Sequence, residues 1–335
     1  MGLQFRRRHA LGLAMVPLAA RVLSPAAARA QGGYPDRPVR LIVPFAPGGA
    51  SDFAARIIQQ PLGEALGQAV VIENRTGAAG NVGMEAAARA APDGYSVFVG
   101  NVGTLAINPS VFGERLRVAP LRDFAPVGLV ALTPDVLVVR EDFPARSVRE
   151  LVAYAKANPG KVNYGSPGSG SANRLEMELL REAAGGLDMV HVPYPAGAGQ
   201  AVTALVAGDV HCEFVTLSSA FGQIQAGKLR ALAVTIGQRV KALPEVPTMR
   251  ESGFPDYVAG SWTGVAMPAG TPAPIIARWA ALLHQVMAQP EVARRLRESG
   301  TEPEVSATPD AFATYIAEET RRWGGVVRRV GATVE

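Results

Sequence analysis

One order of apolar and polar positions recurs four times along the chain: a short run of consecutive apolar residues, a glycine-rich turn, then apolar positions three and four apart. It is plainest from Leu41 to Ile58. Leu41 to Phe45 reads as a strand buried on both faces, Pro47-Gly48-Gly49 as a turn, and the following residues as an amphipathic helix beginning near Ser51 or Asp52. Val70–Asn74 leads into Thr76-Gly77-Ala78-Ala79-Gly80-Asn81 and an alanine-rich helix that Pro92-Asp93-Gly94 stops. Val162–Tyr164 leads into the loop 165–171 and a helix over Ala172–Ala184, and Met189–Tyr194 leads into Ala196–Gln200 and a helix over Ala201–Ala207. Strands alternating with helices in this way imply βαβ units and a parallel sheet. A helix start carries unpaired N–H groups and the positive end of a dipole, and glycine lets the backbone come close to a guest. Four such starts aimed at one crevice would make an anion site out of backbone.

Between and after these units the pattern changes. Asn108 to Asp123 reads as irregular. Ala125–Ala131 and Asp135–Val139 are apolar runs separated by Leu132-Thr133-Pro134, a plausible passage from one lobe to another. Ser147-Val-Arg-Glu150 is a capping box opening a helix to about Ala157, Leu229–Thr235 is a strand, and Leu243 to Pro255 is a proline-rich return. Trp262–Met267 is a further strand, and three helices close the chain, the last opened by Thr308-Pro309 and burying Phe312, Ile316 and Trp323, with Glu318 and Arg322 as a surface pair. The chain thus leaves a first lobe (31–134), builds a second (135–248) and returns to the first (249–335), an arrangement that suggests a hinge.

Composition sharpens this picture at one point. The net charge of +4 invites a nucleic-acid reading, but Arg6, Arg7, Arg8, Arg21 and Arg29 lie in residues 1–30 with no acid among them. Without that segment 28 basic residues face 29 acidic ones, and nothing remains to drive counterion release from phosphates. The segment itself reads as a secretory signal: Arg6-Arg7-Arg8, an apolar stretch from Ala10 to Ala20, and an Ala28-Arg29-Ala30 cleavage site. The expected mature chain begins at Gln31 in the periplasm.

Candidate chemistry is sparse. The single cysteine, Cys212, sits in an apolar run and reads as a small buried hydrophobe. No histidine lies at ligand spacing from another metal-binding residue, and no phosphate-binding glycine motif is complete, so neither metal nor cofactor is expected. The Ser166–Ser171 loop lacks G-x-S-x-G and has no assignable His–acid pair, which leaves a serine hydrolase as a minor alternative. Asp52 reads first as an N-cap, Arg75 as a surface partner of Glu73 or Asp93, and Tyr194 and Trp262 as core-edge aromatics.

Seven ordered motifs, Pro44–Asp52, Glu73–Asn81, Ala91–Tyr95, Tyr164–Ser171, His191–Tyr194, Gly227–Thr235 and Ala266–Pro272, together resemble the Bug family, the periplasmic substrate-binding proteins of tripartite tricarboxylate transporters. The resemblance implies an α/β, type II periplasmic-binding-protein fold of two Rossmann-like lobes, hinged, with a ligand cleft between them. It implies a non-enzymatic monomer that captures a small organic carboxylate for membrane permease subunits, with a ligand sensor as the alternative. The ligand contacts it implies are Phe45, Ala46, Pro47, Gly48, Gly49, Ser51 and Asp52 in the first loop and Gly77, Ala79, Gly80 and Asn81 in the second. Thr104, Ser166, Ser169, Ser171 and Tyr194 follow. The chain departs from the family pattern at Val215, where an acidic residue is common, at Leu105, often histidine, and at Pro195, often lysine. The first of these disfavours a ligand ammonium.

Overall fold

The computed structural model describes residues 33–168, 171–257 and 259–331. The predicted leader and Ser169 lie outside the described residues. Four strands open the chain, β1 (Val39–Val43), β2 (Val70–Asn74), β3 (Ser96–Asn101) and β4 (Phe124–Thr133). Helices α1 (Ala50–Leu66) and α2 (Asn81–Ala88) join the first three. A π-helical turn at Gly103–Ile107 leads into the region expected to be irregular, which instead contains two short helices, α3 (Asn108–Phe112) and α4 (Pro120–Asp123). In both short helices a proline occupies the first turn, where its missing N–H costs nothing.

After Pro134 the chain enters a second sheet built from β5 (Asp135–Arg140), β6 (Val162–Ser166), β7 (Met189–Pro193), β8 (Cys212–Thr216) and β9 (Leu229–Val234). Its helices are α5 (Val148–Ala157), α6 (Ala172–Ala183), α7 (Ala198–Ala207) and α8 (Leu217–Gln225). The Ser147 hydroxyl accepts the Glu150 N–H, as the capping box requires. The chain then returns through β10 (Ser261–Pro268), α9 (Ala273–Met287), α10 (Pro290–Glu298), β11 (Glu302–Pro303) and α11 (Pro309–Val330).

The first sheet has the order β11-β4-β10-β3-β1-β2 and the second β7-β6-β8-β5-β9. Where strand and helix alternate the pairing is parallel, as expected: β2-β1-β3 in one sheet, β7-β6-β8 in the other. The sheets are nevertheless mixed. β10 runs antiparallel to both β3 and β4, and β5 antiparallel to β8 and β9. These are the strands on which the chain enters a sheet from the other one, so no crossover helix sets their direction.

α11 ties the two sheets together. Trp323 shares one apolar cluster with Phe312 and Trp262 on one side and with Leu175 and Phe214 on the other. Glu319 accepts the indole N–H of both Trp262 and Trp323 at 3.1 Å, and Arg322 pairs with Glu319 rather than with Glu318. Gly264 makes the helix contact possible. A Cβ there would lie 2.1 Å from the Phe312 ring.

Candidate functional site

Loops from the C-terminal ends of strands in both sheets meet on one cavity, with about 40 Å³ open to water. From the first sheet it is lined by Phe45, Gly49, Ala50, Ser51, Ala79, Asn101, Val102 and Gly103. From the second come Pro167, Ser171, Ala172, Asn173, Ala198 and Thr216, and Ser261 stands at the start of β10. None of these residues carries a charge. The rims touch around the cavity: the Ala46 N–H donates to the Ala196 carbonyl at 3.2 Å, and a Cβ on Gly197 would meet Phe45 at 3.5 Å.

Three helices reach this cavity without a side-chain cap: α1 from Gly49, α7 from Gly197 and α8 from Thr216. Apart from Leu217, whose N–H donates to the Pro134 carbonyl at 2.8 Å, and Gln200, which donates to the Gly197 carbonyl at 3.1 Å, the N–H groups of these first turns are free to face a guest, and the helix dipoles put positive charge at the same place. The hydroxyl of Ser51, 2 % exposed and in the first turn of α1, has no hydrogen-bond partner among the described residues. A buried hydroxyl and three open helix starts around a cation-free space are suited to hold an anion through N–H and O–H donors.

Side chains behind the loops fix their shape. Asp52 is not the N-cap of α1; the helix starts at Ala50, which puts Asp52 in the third helical position. Its buried carboxylate accepts the Gly48 N–H at 3.0 Å, the Arg56 guanidinium at 2.8 Å and the Asn74 amide at 2.9 Å. Asn74 also donates to the Phe45 carbonyl at 2.8 Å, so β2 holds the first loop at two points. In the second loop Ala78 (φ +47°) and Ala79 (φ +54°) adopt the left-handed conformation that side chains disfavour. Asn108 steadies them by donating to the Ala79 carbonyl and to Asn81. Gly80 must be glycine, since a Cβ would fall 2.6 Å from Thr104. Thr104 in turn is buried and bonds Asn101, turning that amide toward the cavity.

Of the residues carried over by resemblance, Phe45, Gly49, Ser51, Ala79 and Ser171 line the cavity. Ala46, Pro47, Gly48, Asp52, Gly77, Gly80, Asn81, Thr104, Ser166 and Tyr194 belong to the same loops but stand outside the lining. Val215 is fully buried against α7 and α8, one residue from Thr216, which does line the cavity. Strand alternation puts the two on opposite faces of β8. Thr216, Asn101, Asn173 and Ser261 are the polar lining residues that sequence reasoning missed. The spacing Leu217, Ala220, Phe221, Ile224 marks α8 as a fifth strand–loop–helix unit, in which threonine replaces the glycine turn. α7 likewise begins at Ala198, three residues before its expected start, because Gly197 (φ +114°) makes the turn alone.

Ionisable groups near the site are buried and mostly neutral. Burial, with Arg174 and Arg181 nearby, pushes His191 down to about 4. Its Nε2 stands 2.7 Å from the Ser166 hydroxyl. The fold thus forms a Ser–His pair that the sequence did not reveal, but Ser166 is fully buried and bonds its own loop at Gly168. An imidazole so hard to protonate is a poor general base at neutral pH. Burial raises Cys212 well above the usual thiol range and Glu213 well above that of carboxylates. Asp135, pushed up to about 7 by burial, lies within hydrogen-bond reach of Glu176, itself held well above its usual value by burial and by Asp135. Among the described residues no group of three or more His, Cys, Asp or Glu could hold a metal ion, and no helix is long and apolar enough to cross a membrane.

With this geometry in hand, the family model of the tripartite tricarboxylate transporter family receptor matches residues 54–332. The periplasmic binding protein BugD is 34 % identical, with a TM-score of 0.85 over 90 % of this chain and all of that one. Rpa4515 of R. palustris with adipate is 34 % identical, with a TM-score of 0.86 over 90 % of this chain and all of that one. MatC of Rhodopseudomonas palustris with bound malate is 34 % identical, with a TM-score of 0.82 over 88 % of this chain and all of that one.

Proposed function

The chain belongs to the tripartite tricarboxylate transporter receptor family, and from that premise we propose that it captures a small organic carboxylate in the cavity between its two sheets and delivers it to the permease subunits of a tripartite carrier. Its relatives are binding proteins, and among them two hold the dicarboxylates adipate and malate. One observation carries the assignment to this cavity: three helix starts without side-chain caps and the unpartnered Ser51 hydroxyl converge on a space whose lining contains no cation. An anion held only by dipoles and hydroxyls can be released without breaking a buried ion pair, which suits a carrier rather than a store. Residues 31–134 with 249–335 form one lobe and 135–248 the other, and the hinge lies at Pro134 and in the 235–260 return. The protein works in the periplasm after removal of residues 1–30, as a monomer and without turnover of its ligand. Closure is driven by the ligand's preference for the closed form.

Thermal melting of the mature chain, stripped of endogenous ligand, tests the reading against a panel of small carboxylates and their amides. A carboxylate at a hundred times its Kd adds about 2.7 kcal/mol and raises Tm by several degrees. The matched amide leaves Tm unmoved. If no acid shifts Tm, the carboxylate assignment fails.

A further inference from the structure

Two asparagines line the cavity, one from each sheet, and their neighbours turn them in opposite senses. The side-chain oxygen of Asn101 accepts the Thr104 N–H at 3.0 Å and its hydroxyl at 3.2 Å, which leaves the amide N–H groups for the cavity. Asn173, 5 % exposed in the first turn of α6, instead spends its amide nitrogen on Glu176 Oε2 at 3.3 Å. Its carbonyl oxygen has no partner among the described residues. Resting on the carboxylate reading above, we infer that Asn173 is a specificity-determining residue: its oxygen accepts an O–H from the ligand, so the site selects a hydroxycarboxylate over the same acid without the hydroxyl.

The orientation is enforced from behind. Glu176 and Asp135 are both fully buried and interact directly with each other, and the Asn173 side chain stands against both carboxyls. Two carboxyls this close and this dry cannot both ionise, so above about pH 7 the pair keeps one proton, held between them. The remaining lone pairs can only accept, so they hold the amide nitrogen of Asn173 and exclude its oxygen. The pair is itself fixed. Tyr257 donates to the Glu176 carbonyl at 2.6 Å, Thr235 accepts the Asp135 N–H at 3.2 Å, and Arg322 of α11 acts on Glu176 through its charge. Asp135 and Glu176 are positioning residues, since they reach the ligand only through Asn173. The partner on the ligand is a hydroxyl and not an ammonium, because the lining offers no carboxylate to neutralise one. An acid lacking the hydroxyl leaves the Asn173 oxygen buried and unpaired, which costs tenfold or more in affinity.

Calorimetric titration of the mature chain with matched pairs, succinate against malate and glutarate against 2-hydroxyglutarate, tests this. In the best-bound pair the hydroxy acid binds at least tenfold tighter. Asn173→Ala cuts that ratio below about threefold while the unsubstituted acid keeps its affinity within threefold. Glu176→Leu, which frees the amide, does the same, and Glu176→Gln, which can still accept from it, restores the preference. A ratio near one in the unaltered protein overturns the inference, as does parallel loss of both acids in Asn173→Ala. Binding of none of the four acids removes this inference, and removes the carboxylate reading with it only if no acid of the melting panel binds either; equal binding within each pair removes this inference alone.

Discussion

Replacing Ser51 by alanine should move stability and affinity in opposite directions. The Ser51 hydroxyl is 2 % exposed and has no partner among the described residues, so the ligand-free fold carries an unsatisfied polar group in the first turn of α1. Leaving such a group unpaired costs about 1–3 kcal/mol, and alanine, which is also the better helix former, removes that cost. The mature chain of 305 residues has a melting entropy of roughly 0.6 kcal/mol/K, so 1 kcal/mol corresponds to about 1.5 °C. The ligand-free Ser51→Ala protein should therefore melt about 1.5–4.5 °C higher. With a carboxylate bound the sign reverses. A hydrogen bond from a hydroxyl to a buried carboxylate contributes about 1.5–3 kcal/mol, so the substitution should raise Kd about 10- to 150-fold. Differential scanning calorimetry without ligand and isothermal titration with the best-bound acid measure the two effects separately. A ligand-free Tm lowered by several degrees together with an unchanged Kd would refute the reasoning, for it would mean that Ser51 supports the fold and does not face the ligand.

Asn74→Ala should lower stability by about 2 kcal/mol in urea unfolding, because it removes the bonds to the Phe45 carbonyl and to Asp52 and leaves a carboxylate oxygen buried with fewer donors. Asp135→Asn should flatten the pH dependence of stability between about 4 and 7. Burial raises Asp135 to about 7 in the folded protein, so over that window the folded state keeps a proton that the unfolded chain has lost. Stability then falls as pH rises, by at most about 1.4 kcal/mol per pH unit, and levels off above 7. His191, lowered to about 4, acts in the opposite sense, adding stability as pH rises from about 4 to 6.5. The difference between the variant and the unaltered protein therefore reports the Asp135–Glu176 pair as a unit, and an identical profile in both would rule out a shared proton. Gly264→Ala should prevent folding or cost more than 3 kcal/mol, since its Cβ would lie 2.1 Å from the Phe312 ring; soluble expression and denaturant titration test this.

Continuous apolar runs gave the parallel strands, because a strand covered on both faces cannot alternate, and glycine turns gave the helix starts between them. Direction was less legible. β5 and β10 read as strands, but their antiparallel pairing depends on where the chain re-enters each sheet, which is not a local property. The loops of the first lobe were readable because glycine and proline mark them; within them the family resemblance singled out Phe45, Gly49, Ser51 and Ala79. Thr216 was not marked in this way, since its turn contains no glycine and its helix is short. Asn101 and Asn173 were invisible for a different reason. Their roles depend on which end of an amide a distant neighbour engages, Thr104 in one case and Glu176 in the other. The Asp135–Glu176 contact joins residues 41 positions apart and is set by the alternation that puts Asp135 on the α6 face of β5.

The central claim is that a carboxylate is held by backbone and hydroxyl donors with no cation in contact. A crystal structure of the mature chain with its best-bound carboxylate tests it most directly. The account predicts one carboxylate group within about 3.2 Å of the Ser51 hydroxyl and of first-turn N–H groups of α1, with no lysine or arginine nitrogen inside 4 Å of it. A carboxylate paired with an arginine or lysine, or seated away from the α1 start, would contradict it.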